Sequence, residues 1–190
     1  SQNATIALAA ANTYTGTTYV NGVNLTLNSG AGPAIPGNLI ASGNTSNGTD
    51  SQNPGNQTIT FSQSNQIAST ANVTLNGGVV LNLNNQSNTL NNVILAADGG
   101  SFGNQGPVIS TGTGTLTLTG GVTGTNLQQA TTIPLIQGNL ALPAGTHTFN
   151  IGTFAGAPGQ VGLALNSTLS DAGGIDKTGN GILGIGGNSP

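Results

Sequence analysis

Apolar and polar residues alternate with a period of two along most of the chain. The clearest stretches are "VNGVNLTLNSG" (residues 20–30), "NVTLNGGVVLNLNN" (72–85), "GTGTLTLTGG" (112–121) and "GLALNSTL" (162–169). A strand with one buried face shows this alternation, and the branched side chains of Val, Ile and Thr suit a pleated backbone. Among the good helix formers Glu, Arg and Met are absent and Lys occurs once, while Gly is frequent, which disfavours helices. The pattern therefore predicts an all-β protein.

The turns between these strands fit two architectures. Asn21-Gly22 and Asn76-Gly77 can both adopt positive φ at little steric cost. In an antiparallel β-sandwich or jelly roll such pairs close hairpins, whereas in a solenoid they mark the corners of a coil. We favour a right-handed parallel β-helix, because the strands are short and the polar positions are mostly Thr, Asn and Ser. At ~20–30 residues per coil, the chain would hold roughly six to nine coils.

The alternation also predicts which side chains point into the core. Eight residues of the regular strands are assigned inward positions, since each lies two residues from another apolar residue of its strand. They are Leu25, Leu27, Val73, Leu75, Leu81, Leu83, Leu116 and Leu118.

The organisation along the chain is simple. We interpret residues 1–190 as a single elongated β domain, because 35% of the residues are hydrophobic and they are spread over the whole length. The alternation of apolar and polar residues stops in residues 42–58, "SGNTSNGTDSQNPGNQT", in which Pro54 is the sole apolar residue. This segment is predicted to be an exposed loop.

Charge and cysteine content exclude several classes of function. The chain has one Lys, no Arg and four acidic residues, so it cannot neutralise a phosphate backbone, and nucleic-acid binding is excluded. No apolar run approaches the ~20 residues that a membrane-spanning helix needs. The absence of Cys excludes disulfides and thiolate metal sites, and is typical of an extracellular bacterial or archaeal protein. Because the sequence starts at Ser1, we expect a processed or excerpted product.

Residues that could carry chemistry are few and isolated. His147 stands alone, with no second His and no Cys to complete a metal or catalytic site, so we interpret it as structural. Asp171 and Asp176 lie near Gly residues, but a calcium repeat needs several carboxylates in a regular series, and we expect these two to cap turns instead. Asp176 is expected to face Lys177. The sequence thus predicts no enzyme activity, no catalytic residue, no cofactor and no metal.

Glycosylation is the remaining candidate chemistry. Eight N-x-[ST] sequons occur in this Asn- and Thr-rich chain. The three in the predicted exposed loop, Asn44, Asn47 and Asn56, are the candidate glycosylation sites. The others are Asn3, Asn24, Asn72, Asn85 and Asn166.

Two stretches at opposite ends of the chain fit one repeat. "ANTYTGTTYVNGVNLTL" (residues 11–27) resembles the passenger-associated β-strand repeat of bacterial autotransporters, and "DKTGNGILGIGGN" (176–188) resembles the front half of the same repeat. The stretch "SNQIASTANVTLNGGVVLNLNNQSNTLNNV" (64–93) resembles the segment that follows in such proteins. The resemblance implies a right-handed parallel β-helix displayed outside the cell.

A repeat divided between the two ends suggests that the end of one unit is continued by the start of another. Unpaired strands at the open ends of a solenoid must be capped or paired. We therefore expect either head-to-tail self-association by β-strand pairing or covalent continuation into neighbouring tandem repeats. The expected function is that of a non-catalytic extracellular or cell-surface structural protein, such as a surface-display or adhesin segment or a fibre subunit. The alternative is a carbohydrate-binding or carbohydrate-active β-helix, with host or surface glycans as partners.

Overall fold

The computed structural model describes residues 4–43, 57–97, 106–125, 132–153 and 159–186. These ranges contain strands, turns and bends and no helix. The strands are β1 (Thr5–Leu8), β2 (Thr18–Asn21), β3 (Asn24–Leu27), β4 (Leu39–Ser42), β5 (Thr58–Phe61), β6 (Val73–Asn76), β7 (Val80–Asn82), β8 (Asn88–Leu90), β9 (Val93–Ala96), β10 (Val108–Leu118), β11 (Val122–Thr125), β12 (Leu135–Ala141), β13 (Gly145–Ile151), β14 (Val161–Ser170), β15 (Gly173–Thr178) and β16 (Ile182–Gly186).

The strands form two parallel sheets. Sheet A has the order β1-β3-β5-β7-β10-β12-β14-β16, with β8 paired to the far part of β10, and sheet B has the order β15-β13-β11-β9-β6-β4-β2. Every strand pairing among the described residues is parallel. The predicted all-β, parallel β-helical fold is confirmed, and the antiparallel sandwich is excluded. The right-handed sense stays a prediction, which rests on the strong preference of parallel crossovers for that hand.

The turn at Asn76-Gly77 is compatible with both the antiparallel sandwich and the solenoid when only the local sequence is considered. Gly77 has φ +62° and Gly22 has φ +72°, as both a hairpin and a corner require. However, β6 before the turn belongs to sheet B and β7 after it belongs to sheet A. The pair therefore turns the chain from one sheet to the other instead of closing a hairpin.

Each coil of the solenoid consists of a sheet A strand and the sheet B strand that follows it. The seven strands of sheet B define seven coils, within the predicted range, and β16 begins an eighth. Coil length varies, since Leu25 pairs with Ile59 and Ile59 pairs with Leu81, which gives advances of 34 and 22 residues. The additional residues of the longer coils lie in the connections between strands, so the inward positions of the strands stay aligned along the axis.

The core is a set of apolar columns that run along the axis. All eight residues assigned inward positions from the sequence are buried, which confirms that prediction. Burying one such side chain stabilises the fold by roughly 1.5–3 kcal/mol. The longest column, here called the sheet A column, contains one Ile or Leu from each of eight strands: Ile6, Leu25, Ile59, Leu81, Ile109, Ile136, Leu165 and Ile185.

The predicted exposed loop has narrower bounds than the sequence suggested. Ser42 is the last residue of β4 and Thr58 is the first residue of β5, and both are half-buried. Gln57 is buried. The bounds 42–58 are therefore wrong at both ends, because backbone pairing with neighbouring coils extends further than the polar composition implied. Residues 44–56 lie outside the described residues.

Two buried amide side chains connect neighbouring coils. Gln66 accepts the N–H of Ser29 on Oε1 at 2.7 Å and donates from Nε2 to the carbonyl of Ser29 at 2.8 Å. Asn88 bonds to the N–H and the carbonyl of Ile67 in the same way, each at 3.1 Å. Both amides thus satisfy backbone groups that the coil-to-coil ladder leaves unpaired in the interior.

A third buried amide lacks such bonds. Gln57 is 1% exposed, and neither its Oε1 nor its Nε2 has a hydrogen-bond partner within the described ranges. Its backbone carbonyl is engaged, since it accepts the N–H of Val80 at 2.7 Å. Among the described residues, no hydrogen bond offsets the desolvation of this side chain.

We expect Gln57→Met to raise the free energy of unfolding by about 1–3 kcal/mol, because an apolar side chain of similar shape removes two unsatisfied polar atoms. The backbone bond to Val80 stays intact in the variant. Urea unfolding followed by circular dichroism measures the change. A loss of stability would show that the amide has a partner and would contradict the prediction.

Candidate functional site

The two ends of the sheet A column are exposed to solvent. Ile6 on β1 is 49% exposed and Ile185 on β16 is 54% exposed, whereas the six members between them are buried. The outer edges of β1 and β16 are not paired with any other described strand. Each end thus presents a row of free backbone groups beside an apolar side chain, a combination that favours strand addition.

Sheet B ends differently. Its corresponding column, here called the sheet B column, is apolar in the middle but begins with Thr18 and ends with Lys177. Lys177 pairs in register with the buried Phe149, so it occupies an inward position of the last strand. Its ammonium donates to the carbonyl of Gly179 at 2.6 Å, and the residue is exposed. The members are Thr18, Leu39, Val73, Val93, Val122, Phe149 and Lys177.

The position of Lys177 overturns the expectation that Asp176 faces it. Asp176 pairs with Thr148 on the outward face, and Lys177 pairs with the inward Phe149. Adjacent residues of a strand point to opposite faces, so the two charges diverge. Sequence reasoning missed the inward lysine because its column is visible only when β15 is aligned with β13.

A ladder of asparagine side chains lines one corner of the solenoid. Oδ1 of Asn38 accepts the backbone N–H of Asn72 at 2.9 Å. Oδ1 of Asn72 in turn accepts the backbone N–H of Asn92 at 3.3 Å and its side-chain amide at 3.0 Å. Oδ1 of Asn92 accepts the backbone N–H of Gly121 at 2.8 Å. Each amide thus satisfies the corner N–H of the next coil. The Asn residues of this corner are therefore structural.

A shallow depression lies on the outer face of sheet B beside this corner. Its volume is about 550 Å³, and its lining combines Asn amides, Thr hydroxyls and one exposed Ile side chain. The lining residues include no carboxylate, so the depression lacks the pair of acids that glycoside hydrolysis uses. They are Asn72, Asn92, Ile94, Gly120, Gly121, Val122, Thr123, Thr146 and Thr148.

His147 is buried below this depression and has both ring nitrogens engaged. Nδ1 lies 2.8 Å from the carbonyl oxygen of Gly120, and Nε2 lies 2.8 Å from the carbonyl oxygen of Pro143. A neutral imidazole donates from one nitrogen only, whereas an imidazolium donates from both. The ring joins the corners of two successive coils and is 4% exposed. This geometry supports the interpretation of His147 as a structural residue.

The aspartates do not gather around a common point in the described part of the chain. Asp50 and Asp98 lie outside the described residues, while Asp171 adopts φ +73° at the turn between β14 and β15. No group of three or more His, Cys, Asp or Glu residues that could hold a metal ion occurs in the described ranges. Those ranges also contain no helix with the length and apolar character that a membrane crossing requires.

The candidate glycosylation sites Asn44, Asn47 and Asn56 lie outside the described residues. Among the other sequons, Asn24 and Asn85 use Oδ1 to accept the backbone N–H of Thr58 and Thr113, each at 3.0 Å. The amide oxygens of those two residues are therefore engaged in contacts between coils, as the amide oxygen of Asn72 is in the corner ladder.

Comparison with known proteins gives no family assignment. No protein-family model matches the chain, and neither a curated protein nor a solved structure matches it. The resemblance to autotransporter passengers therefore rests on the repeat residues alone and belongs to the proposal below.

Proposed function

We propose that this chain is a non-catalytic extracellular structural protein of the cell surface, similar to an autotransporter passenger, and that it extends by head-to-tail strand pairing. It would serve as a surface-display or adhesin segment or as the subunit of a fibre. The observation that carries the proposal is the exposure of Ile6 and Ile185 at opposite ends of one column. In a second copy stacked along the axis, these two side chains would be neighbours in the same column.

The polar side chains support a structural role. The Asn ladder, Gln66 and Asn88 direct amide atoms to the backbone of a neighbouring coil. His147 contacts the carbonyl of Gly120 in the preceding coil through Nδ1 and the carbonyl of Pro143 in its own coil through Nε2. The atoms that make these contacts hold successive parts of the coil together, which favours a structural role. The four acidic side chains and the one cationic side chain of the sequence provide little further chemistry.

The extracellular assignment rests on composition and on the repeat. The chain has no Cys, and it carries little charge on a surface rich in Asn, Thr and Ser. A net charge of −3 over 190 residues gives weak repulsion between copies, which favours close association. In a longer protein built from tandem units, the same edges would be continued covalently.

The N-terminal segment is expected to be the connector at one end of the rod. Deletion of residues 1–11 removes β1, which includes Ile6 and Leu8, and leaves β3 and the rest of the core in place. We expect the shortened protein to stay folded and to lose filament formation, because strand addition needs the free edge of β1. Electron microscopy and circular dichroism measure the two properties.

The intact chain is the reference for this experiment. It should form rods longer than one copy at high protein concentration, and dilution should shorten them. Filaments of the deletion variant equal to those of the intact chain would contradict the role of β1. An intact chain that stays monomeric at every concentration would contradict fibre formation.

A further inference from the structure

The two sheets end at different levels along the solenoid axis. Sheet A begins with β1, before the first strand of sheet B, and ends with β16, after the last strand of sheet B. The described chain therefore has eight consecutive strands along sheet A and seven along sheet B. If β16 of one copy pairs with β1 of the next, sheet A is continuous, and the described strands leave one position of sheet B unfilled between β15 and β2.

The composition of the two columns follows this difference. The sheet A column ends in Ile6 and Ile185, which suit burial against each other. The sheet B column ends in Thr18 and Lys177. An inward-pointing lysine on an edge strand is a known means of preventing further strand pairing. The column with two apolar ends thus lies on the sheet that can be continued, and Lys177 borders the position that stays open. The other inward residue of β2, Val20, is apolar and 5% exposed.

Direct contact between β15 and β2 meets two obstacles. It would enclose the ammonium of Lys177 next to Phe149 and Thr18, away from water and from any acidic partner in the register. It would also leave a single position in sheet A for both β16 and β1. One of these strands would have to leave its present partner, β14 or β3.

We propose that two copies of this chain join through sheet A alone, by parallel pairing of β16 with β1, and that the edge of sheet B, which carries Lys177, stays outside the contact. This inference rests on the head-to-tail association proposed above and specifies its interface. Ile185 of one copy and Ile6 of the next continue the sheet A column across the joint. The open position in sheet B stays hydrated around the lysine.

Two single substitutions test the joint from its two sides. Ile185→Lys and Ile6→Lys each place a charge inside the joint while the substituted residue is about half exposed in the free chain, so the fold should be retained. Each variant alone should show association weakened by more than about a hundredfold, because an unpaired charge would be enclosed. Asn166→Lys adds the same charge at an exposed outward position and should associate like the intact chain.

A mixture of the two variants gives the sharpest result. Ile6→Lys retains a native β16 edge, and Ile185→Lys retains a native β1 edge, so one native joint can form between them. Sedimentation velocity should show monomers for each variant alone and a dimer, without longer species, for the equimolar mixture. Lys177→Val should leave the affinity of the sheet A joint within about twofold of the intact chain, since that edge stays outside the contact.

The outcomes separate this inference from the proposed function. If the intact chain associates but Ile185→Lys associates equally well, or if the mixture forms no dimer, the sheet A joint is wrong while head-to-tail association stands. If Lys177→Val changes the affinity as strongly as Ile185→Lys does, the edge of sheet B is part of the contact and the inference is overturned. If the intact chain does not associate at all, the association itself fails, and the joint with it.

Discussion

Replacing Gly114 with alanine is expected to lower the free energy of unfolding by about 3 kcal/mol, at the upper end of the usual range for overpacking. Gly114 is buried in β10, where the pairing with β12 shifts register between Ser110 and Thr115. A Cβ atom there would overlap the carbonyl oxygen of Gln86 and would lie 2.5 Å from its carbonyl carbon and 2.7 Å from that of Asn85. These are backbone atoms of the preceding coil, so no side-chain rotation can relieve the contact.

The matched control for this substitution is Gly174→Ala. Gly174 also lies within a strand, β15, but it is exposed, and the nearest atom to its Cβ would be the carbonyl oxygen of Gly145, at 3.9 Å. Alanine should be tolerated there, with a change within about 0.5 kcal/mol, as at most surface positions. Chemical denaturation of both variants tests the comparison. Equal free energies of unfolding for the two variants would contradict the prediction, because they would show that the two coils can move apart at Gly114 at no cost.

Replacing Gln66 with methionine is expected to lower the free energy of unfolding by about 2–5 kcal/mol, because two buried backbone groups lose their hydrogen-bond partner. Methionine has nearly the shape of glutamine, so packing changes little. The N–H and carbonyl of Ser29, which the Gln66 amide now binds at 2.7 and 2.8 Å, would face an apolar side chain. Ser29 is 2% exposed, so water does not replace the lost bonds.

Gln57→Met is the control for Gln66→Met, because its expected change in the free energy of unfolding has the opposite sign. Both residues are buried glutamines beside a coil-to-coil ladder, but only Gln66 has partners for its amide among the described residues. Glutamine to methionine should therefore destabilise at one position and stabilise at the other. Thermal unfolding of the two variants under identical conditions shows the sign directly. A shift in the same direction for both would indicate that hydrogen bonding of these amides does not decide stability.

The alternation of residue types predicted the strands and the inward residues well, because burial on one face of a strand is a local property. Leu25, Leu75 and Leu116 illustrate this, since each is apolar, lies two residues from another apolar residue, and is buried. The repeat-like stretches of the sequence also form strands, since residues 11–27 contain β2 and β3 and residues 176–188 contain β16. The local pattern alone did not distinguish parallel from antiparallel pairing, because Asn76-Gly77 suits a corner as well as a hairpin.

Other features depend on contacts between residues far apart in sequence and could not be read from the local pattern. Gln66 and Asn88 look like surface residues in the sequence, yet both are buried against backbone of a preceding coil, 37 and 21 residues away. Lys177 looks like an ordinary exposed charge until its register with Phe149 places it in an interior column. The candidate interface thus emerged from strand register and not from any motif.

The stacking of coils, each paired only with its two neighbours, gives this protein the thermodynamics of a one-dimensional chain of units. A central coil is held on both sides, whereas the coils at the ends of the described solenoid are held on one side only. Weakening a terminal coil should cause local fraying, while the same loss in the middle affects two interfaces at once. Joining a second copy through β16 and β1 would give two fraying ends a neighbour in sheet A, so that a longer rod would have fewer fraying ends per copy.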